Sequence, residues 1–337
     1  MPRLPQYDAS KAAGDDGEIR EILNQRAAPG GGAAIGYDNR MANRHFGNLG
    51  DIWKHLPLGD VLRTVRPDRY WESHAGAASY PLTHSANRDF GVYHFLAHAS
   101  AEPALGQSAH IRLLRELAGE DRVPAVYPGS AFVAMWALLD RPVRHLYCDI
   151  DGESLSTIAA TAEELGLTAE AVECVEADGV GTVTSRIQTL ADDEAAGGTF
   201  LLIDPFHITA ANDDGVNSLD LFAAAAGKGV KTILWYCART IDEWERLRSD
   251  VSTALDKSGI DESGLWRGEV ELLSMSERGF ESPGVGMCGL LCANLPDEVI
   301  ETAKRQGEAL AAIYEDATLP CGLSGALAFH ESCACRT

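Results

Sequence analysis

The sequence predicts an α/β fold built around a mostly parallel, doubly wound sheet. Apolar segments typical of strands alternate with helical patterns four times along the chain. Residues 200–203 form the clearest of these strands, because four apolar residues in a row indicate a central strand buried on both faces. Strands that alternate with helices are joined by crossover connections, which make the strands parallel.

The chain begins with a segment that differs from the rest. Residues 1–40 combine acidic and small residues with too little apolar surface to fold alone, and we interpret them as a flexible extension. Residues 41–337 are expected to form one domain. From residue 51 apolar positions recur at helical spacing, although Pro57 should kink or end the first turn. A strand at 69–72 follows, and residues 83–125, rich in histidine and alanine, are expected to be a helical insertion after this first strand.

The remaining elements alternate in the same way. Ser130 is placed to cap a helix at 131–139. Further strands are predicted at 145–148, 171–175, 200–203, 232–236, 269–275 and 286–294. Further helices are predicted at 154–165, 180–190, 218–226, 243–252 and 296–314.

The composition is that of a globular protein with an acidic balance. A chain of 337 residues with 45% hydrophobic content can bury a sizeable core. The 28 Lys and Arg residues against 50 Asp and Glu give a net charge of −22, which repels phosphate polyanions and argues against a nucleic-acid partner without excluding one. The start of the sequence lacks the apolar core of a signal peptide, and no apolar run approaches the ~20 residues of a membrane span. We therefore expect a cytoplasmic protein without a membrane partner.

The eight cysteines are scattered rather than paired, so we interpret most of them as reduced thiols in the core. The C-terminal region does contain four possible soft metal ligands, Cys321, His330, Cys333 and Cys335. Because Cys-x-Cys is not the usual spacing of a zinc knuckle, we do not predict a metal there.

Acidic residues end three successive strands of the predicted sheet. The first strand ends at Glu72 and the Ser73-His74 turn, the second at Asp149, and the third at Asp178. Strand ends on that edge of an open α/β sheet face one crevice, so these groups can converge. A carboxylate after the second strand suits the two hydroxyls of a ribose, and an acid after the third suits an adenine amino group.

A turn of small residues follows the first strand and suits the methionine part of S-adenosylmethionine, with Gly76 at its centre. This set favours S-adenosylmethionine over NAD, since no Gly-x-Gly-x-x-Gly follows that strand. The alternative interpretation is that each acid only caps the next helix.

The central strand leads into a loop that carries several reactive groups. Proline cannot donate to a sheet ladder, so the strand should stop at Pro205, which places Asp204 at the carboxyl edge. Asp204 can accept a hydrogen bond from an amine or hydroxyl of the methyl acceptor, and His207 can stack on a planar acceptor or take the proton. The alternatives are an aspartate that caps the next helix and a loop histidine bonded to the backbone.

With these motifs in order from Arg44 to about His330, the sequence resembles the bacterial 23S rRNA adenine-N6 methyltransferases of the J type. The matching pieces are Gly47-Asn48 with Lys54-His55, Ser73-His74-Ala75-Gly76, Tyr127-Pro128-Gly129-Ser130, Asp149, Ala177-Asp178-Gly179, Ile203-Asp204-Pro205, Leu234-Trp235-Tyr236 and Gly286-Met287. The resemblance implies a Rossmann-like class I methyltransferase sheet whose helical insertion corresponds to the helical subdomain of the family.

The resemblance also implies roles for individual residues. The cofactor S-adenosylmethionine would be held by His55, His74, Ser130, Asp149, Asp178 and Gly179, and we add Gly76 from the small-residue turn. The catalytic residues would be Asp204 and, by position, His207. We predict in addition that Lys54, Phe206, Trp235 and Tyr236 lie on the acceptor side.

Departures from the family pattern fall mainly on the acceptor side. A loop glycine of the family is Ala78 here, the N-terminal Tyr-Arg-His has no match at the same spacing, and Asp-Pro-Pro-Tyr becomes Asp204-Pro205-Phe206-His207. We therefore predict a methyltransferase that acts on a nitrogen or oxygen of a small molecule.

Two alternatives stay open. One is N6 methylation of a 23S rRNA adenine, which a basic face formed by Arg40, Arg44, Arg63, Arg66 and Arg69 would favour. The other is a protein that binds S-adenosylmethionine without catalysis or for other chemistry.

Overall fold

One mixed sheet organises the part of the chain that the structure describes. The structure is a computed structural model, and it describes residues 46–192, 197–260 and 264–333. The strands are β1 (Arg69–Glu72), β2 (Ser79–Pro81), β3 (Val126–Pro128), β4 (Arg144–Asp149), β5 (Val172–Glu176), β6 (Thr199–Ile203), β7 (Lys231–Ala238), β8 (Leu265–Leu272), β9 (Met287–Ala293) and β10 (Leu327–Cys333). Eight of these described strands form the sheet, in the order β10-β8-β9-β7-β6-β1-β4-β5.

The centre of the sheet is parallel, as predicted. β1 pairs in parallel with β4 and β6, β4 with β5, and β6 with β7. β9 is antiparallel to both β7 and β8. All five residues of β6 are buried, which fits its apolar sequence and its place between β1 and β7. The seven strands predicted for this sheet are confirmed, whereas β10, which pairs antiparallel with β8, was not predicted.

Helices cover both faces of the sheet. They are α1 (Leu49–Val65), α2 (Ala109–Ala118), α3 (Ser130–Ala137), α4 (Gly152–Glu164), α5 (Gly179–Thr189), α6 (Ser218–Gly227), α7 (Ile241–Ser258) and α8 (Asp297–Ala312). Apolar residues of α1 to α4 and α8 pack into one core on one face. Those of α5, α6 and α7 pack into a second core on the other face, so the sheet is doubly wound.

Helix α1 continues past the position where we expected it to break. The Asn48 side chain caps it by accepting from the backbone N–H groups of Gly50 and Asp51. Pro57 lies inside the helix, so it does not end the first turn. Thirteen of the seventeen residues of α1 are buried, and this packing offsets the roughly 3 kcal/mol that an interior proline costs.

Short helical segments connect β2 and β3, which pair antiparallel as a separate ribbon. They are Ala86–Arg88, Asp89–Tyr93, His94–His98, Ala99–Ala101 and Pro103–Gly106, and α2 follows them. The division into an extension at 1–40 and one domain at 41–337 stays a prediction, because residues 1–45 lie outside the described residues. None of the helices described is long and apolar enough to cross a membrane.

Candidate functional site

The turn after β1 contacts the end of β4 at the carboxyl edge of the sheet. The Gly76 N–H donates to Asp149 Oδ2 over 2.8 Å, and the Ala75 N–H donates to the Cys148 carbonyl over 3.0 Å. Gly76 has a φ of +59°, and a Cβ there would lie 2.7 Å from the Tyr80 hydroxyl, so this turn requires glycine. The structure therefore brings Gly76 and Asp149 together, although they are 73 positions apart in the sequence.

Asp149 keeps capacity to bind a ligand while it orders the backbone around it. Its Oδ1 accepts from the Asp151 N–H over 2.9 Å, so each carboxylate oxygen has one backbone donor and a remaining lone pair. The next residue, Ile150, has 81% of its surface exposed. An apolar side chain beside an acidic strand end was not singled out from the sequence, because exposure is a property of the folded edge.

Asp178 caps helix α5. Its side chain accepts from the N–H groups of Val180 and Gly181, and from the Asn212 amide over 2.7 Å. Asp178 therefore caps the next helix, as the alternative interpretation of the strand-end acids has it. The hydrogen bond from Asn212 also connects the loop after β6 to the end of β5. Gly179 approaches the Ser73 carbonyl so closely that a Cβ would lie 1.7 Å from that oxygen.

His74 lies in the turn after β1, and Ser130 begins α3. The His74 Nδ1 is 2.9 Å from the Ser73 hydroxyl, and burial lowers the pKa of His74, which favours the neutral ring. Ser130 is the first residue of α3 and is buried, while Gly129 is the cap, so the prediction that Ser130 caps the helix is wrong. The cap position goes to Gly129 because its backbone is extended.

His55 occupies the interior between α1, α2 and β3. Its Nδ1 is 3.0 Å from the Tyr127 hydroxyl, and its ring centroid is 5.7 Å from that of His110. Burial holds the pKa of His55 well below its usual value, so the ring is neutral. The structure does not group His55 with Asp149 and Gly76 through any of these contacts.

Lys54 and Asp204 form a buried ion pair at the end of β6. Lys54 Nζ is 2.5 Å from Asp204 Oδ2 and 3.1 Å from Asp51 Oδ1, and the Lys54 side chain is only 8% exposed. Burial raises the pKa of Asp204 to about 6, although the Lys54 charge opposes this change. Burial alone would lower the pKa of Lys54, but the charges of Asp204 and Asp51 outweigh it and raise that pKa above its usual value.

The predicted acceptor residues divide into two groups. Phe206 is 69% exposed, its ring contacts the His207 ring at a centroid distance of 4.6 Å, and Lys54 Nζ lies 5.2 Å from the Trp235 ring centroid. The Tyr236 hydroxyl, in contrast, donates to Glu269 over 2.6 Å. Because neighbouring residues of β7 point to opposite faces, Trp235 reaches the ion pair and Tyr236 does not.

The three described arginines of the basic cluster lie away from this edge. Arg66 pairs with Asp140 at 2.8 Å, and the Arg63 guanidinium lies 4.3 Å from the Trp136 ring centroid. Arg69 begins β1, whereas Glu72 ends it at the candidate site. These three residues therefore lie near the end of the parallel strands that is opposite the candidate site. Arg40 and Arg44 lie outside the described residues.

A cavity of about 700 Å³ opens elsewhere, between α8 and the segment from Glu102 to Ser108, with Asp60 in its wall. None of the predicted site residues lines it. Of the four possible soft ligands, His330 contacts Glu271 at 2.8 Å and Cys335 lies outside the described residues. Neither place adds to the site at the sheet edge.

No protein-family model and no curated protein sequence matches this chain. Among solved structures, the chain is similar to protein LPL1258 from Legionella pneumophila, described by the family DUF519, with 20% identity, 86% of this chain and 98% of that chain covered, and a TM-score of 0.65. It is distantly similar to a SAM-dependent methyltransferase from Agrobacterium tumefaciens, with 11% identity, 74% of this chain and 64% of that chain covered, and a TM-score of 0.39. It is also distantly similar to an rRNA methylase from Streptococcus thermophilus, with 9% identity, 78% of this chain and 100% of that chain covered, and a TM-score of 0.34.

The two methyltransferase superpositions are too loose to carry an argument about this chain. The likeness to the Legionella protein extends over nearly all of that protein, and at this identity it shows a shared fold alone. Together with the strand order, it shows that the fold of this chain is a doubly wound, mostly parallel Rossmann-like sheet.

Proposed function

We propose that the protein is an S-adenosylmethionine-dependent methyltransferase that acts on a nitrogen or oxygen of a small-molecule acceptor. The observation that carries the proposal is the pairing of two arrangements at one sheet edge. Asp149 is bonded to the Gly76 turn, and Asp204 is bonded to Lys54 at the end of β6. The first arrangement suits a nucleoside with a sulfonium tail, and the second suits a nucleophile.

The donor set at the edge fits this cofactor. Asp149 has lone pairs for ribose hydroxyls, exposed Ile150 offers an apolar surface to an adenine, and the Gly76 turn and Gly179 leave backbone free of side chains. His74 and Ser130 would lie behind the cofactor, and Asp178 would act through the loop it orders. We keep His55 as a cofactor residue only by resemblance, since its contacts are with Tyr127 and His110.

The bound cofactor supplies a methyl group that is already activated by its positive sulfonium. The protein therefore has to align the acceptor and manage one proton. Lys54 engages Asp204 Oδ2, so Oδ1 is the oxygen that an acceptor N–H or O–H would meet. With a pKa raised to about 6, Asp204 is ionised at neutral pH yet a better proton acceptor than an ordinary aspartate.

The preference for a small acceptor rests on charge. The net charge is −22, and the described arginines of the basic cluster lie at the far edge of the sheet, with Arg66 and Arg63 engaged by Asp140 and Trp136. A protein that reads RNA needs cations on the face that carries its active site. Phe206 and His207 provide exposed rings for a planar acceptor instead.

Labelled methyl transfer tests the proposal. The protein is incubated with tritium-labelled S-adenosylmethionine and either a small-metabolite extract or 23S rRNA that lacks the modification. We expect label in the metabolite fraction, and none with Asp204→Asn. Label in one specific rRNA adenine would establish the alternative activity, and absence of transfer despite cofactor binding would favour a binding protein without catalysis.

A further inference from the structure

Glu72 is a fully buried acid at the centre of the sheet. It ends β1, between β4 and β6, and its surface is 0% exposed. Within the described part of the chain, neither carboxyl oxygen has a hydrogen-bond partner of standard geometry. The hydroxyls of Ser130 and Tyr70 face the carboxyl without completing such bonds. A buried carboxyl group without partners is rare in folded proteins and requires an explanation.

The groups that face Glu72 come from several elements. They are Tyr70 on β1, Tyr147 on β4, Ser130 on α3, Lys54 on α1 and Asp204 after β6. Lys54 is the one cation in this set, and its ammonium already contacts Asp204 at 2.5 Å and Asp51 at 3.1 Å. The carboxyl groups of Asp51 and Asp204 therefore contact a single ammonium, and the carboxyl group of Glu72 is near enough to interact with the same charge.

These carboxyl groups cannot all be ionised together at low cost. Ionisation of Asp51, Glu72 and Asp204 around Lys54 would leave an excess of negative charge in a water-poor interior. Asp204 and Asp51 are in direct contact with the ammonium, while Glu72 makes no such contact. Glu72 is therefore the group that keeps a proton. Burial, assisted by the Asp204 charge, raises the pKa of Glu72 to about 8, in agreement with this reasoning.

We propose that Glu72 is a positioning residue that stays a neutral carboxylic acid at neutral pH and so leaves the Lys54 ammonium to Asp204. When Glu72 loses its proton, a further carboxylate competes for the same ammonium, and the Lys54–Asp204 pair weakens. This inference concerns only groups of the chain itself, so it does not depend on the cofactor or on the acceptor.

Infrared spectroscopy of the full chain at a series of pH values tests the proposal, because a protonated carboxylic acid has its own carbonyl band. We expect a band at neutral pH that is lost in Glu72→Gln, is unchanged in the control Glu271→Gln, and disappears in the wild type as pH rises past about 8. The amide of Glu72→Gln imitates the neutral acid, so this variant should fold and keep its stability at alkaline pH better than the wild type.

Removal of the two neighbouring charges should shift the pH at which the carboxylic acid band disappears, in opposite directions for Asp204 and Lys54. Asp204→Asn removes a charge that disfavours the Glu72 anion, so the band should disappear at a pH lower by about 1. Lys54→Met removes a charge that favours the anion, so the band should persist to higher pH. A glutamate that does not interact with these two charges would show neither change.

Two results would overturn the inference. One is that, at neutral pH, Glu72→Gln shows every carboxylic acid band that the wild type shows. The other is a transition that stays in place, or moves upward, in Asp204→Asn. Should Lys54→Met fail to fold, the direction of the change in Asp204→Asn decides alone, and labelling of glutamate with carbon-13 assigns the band without Glu72→Gln.

Discussion

The Lys54 ammonium lies 2.5 Å from Asp204 Oδ2 and thereby joins α1 to the loop after β6, although the two residues are 150 positions apart in the sequence. Both side chains are largely buried, and Asp51 contacts the same ammonium. An ion pair in this setting fixes the orientation of Asp204 more firmly than a surface pair would, because water does not compete for its charges.

Removal of the ammonium should therefore destabilise the fold. We expect Lys54→Met to lower the free energy of unfolding by about 3–5 kcal/mol, since it leaves Asp204 and Asp51 buried without a cation. The double variant Lys54→Met/Asp204→Asn should lose less than the sum of the single changes, as measured by urea unfolding. Lys228→Met, which breaks the exposed pair with Asp192, is the matched control. Equal losses for Lys54→Met and Lys228→Met would argue against a structural role of the buried pair.

The role of Asp204 can be separated from cofactor binding. Asp204→Asn should leave the affinity for S-adenosylmethionine nearly unchanged in calorimetry, because this residue is assigned to the acceptor. Methyl transfer should fall about 100-fold or more, since the asparagine can neither take a proton nor hold the Lys54 pair in the same way. Full turnover with asparagine would refute the assignment.

The exposed ring of Phe206 provides a test of the acceptor side. Phe206 is 69% exposed, so Phe206→Ala should change the free energy of unfolding by no more than about 0.5 kcal/mol. If the ring stacks on a planar acceptor, KM for the acceptor should rise several-fold, in line with about 0.5–1.5 kcal/mol for an aromatic contact. Leu273→Ala changes another exposed apolar residue and serves as the control. An unchanged KM in Phe206→Ala would remove Phe206 from the acceptor site.

Buried histidines should make the protein sensitive to acid. Burial lowers the pKa of His110 to about 3 and that of His145 to about 4, so both rings are neutral in the folded state and bind protons on unfolding. Their contribution to stability is complete above about pH 6.5 and is lost as pH falls toward the folded pKa values, with each ring losing at most about 1.4 kcal/mol per pH unit. His110→Phe should flatten this acid dependence in unfolding experiments, while the exposed control His98→Phe should leave it as it is. An unchanged slope in His110→Phe would contradict the buried neutral state.

Binding of RNA should be weak whatever the salt concentration. With −22 net charge and with Arg63, Arg66 and Arg69 at the far edge of the sheet, the described part of the chain offers few cations for phosphates near Asp204. We expect no mobility shift with a 23S rRNA hairpin even at low salt. A shift that weakens steeply as salt rises would promote the rRNA alternative.

The elements of the fold could be predicted from the sequence where long apolar runs had clear ends. The strand at 200–203 and those around it were predicted because a buried parallel strand is apolar throughout. Strand β10 was missed because His330 and Glu331 break its apolar pattern at an exposed edge, where pairing with β8 supplies the stability. The helix does not end at Pro57 because the burial of α1 on nearly all sides, which local propensity does not register, outweighs the cost of the proline.

The positions of the proposed site residues in the fold could be predicted in part. Asp149 and Asp204 were predicted because strand ends in α/β sheets meet at one edge. Successive side chains of a strand point to opposite faces of the sheet. Applied to β7, this rule would have placed Trp235 and Tyr236 on different faces, as the structure does. The partners of Lys54 and the orphaned carboxyl of Glu72 depend on contacts between distant segments, which no local pattern contains.

Calorimetric titration with S-adenosylhomocysteine tests the central claim most directly, because it measures occupancy of the strand-end site without any acceptor. We predict one-to-one binding to the wild type, an affinity lower by about 1–3 kcal/mol in Asp149→Ala, where ribose hydroxyls lose their partner, and unchanged affinity in Asp250→Ala, which alters an exposed acid in α7. No binding to the wild type, or equal affinity in wild type and Asp149→Ala, would contradict the account.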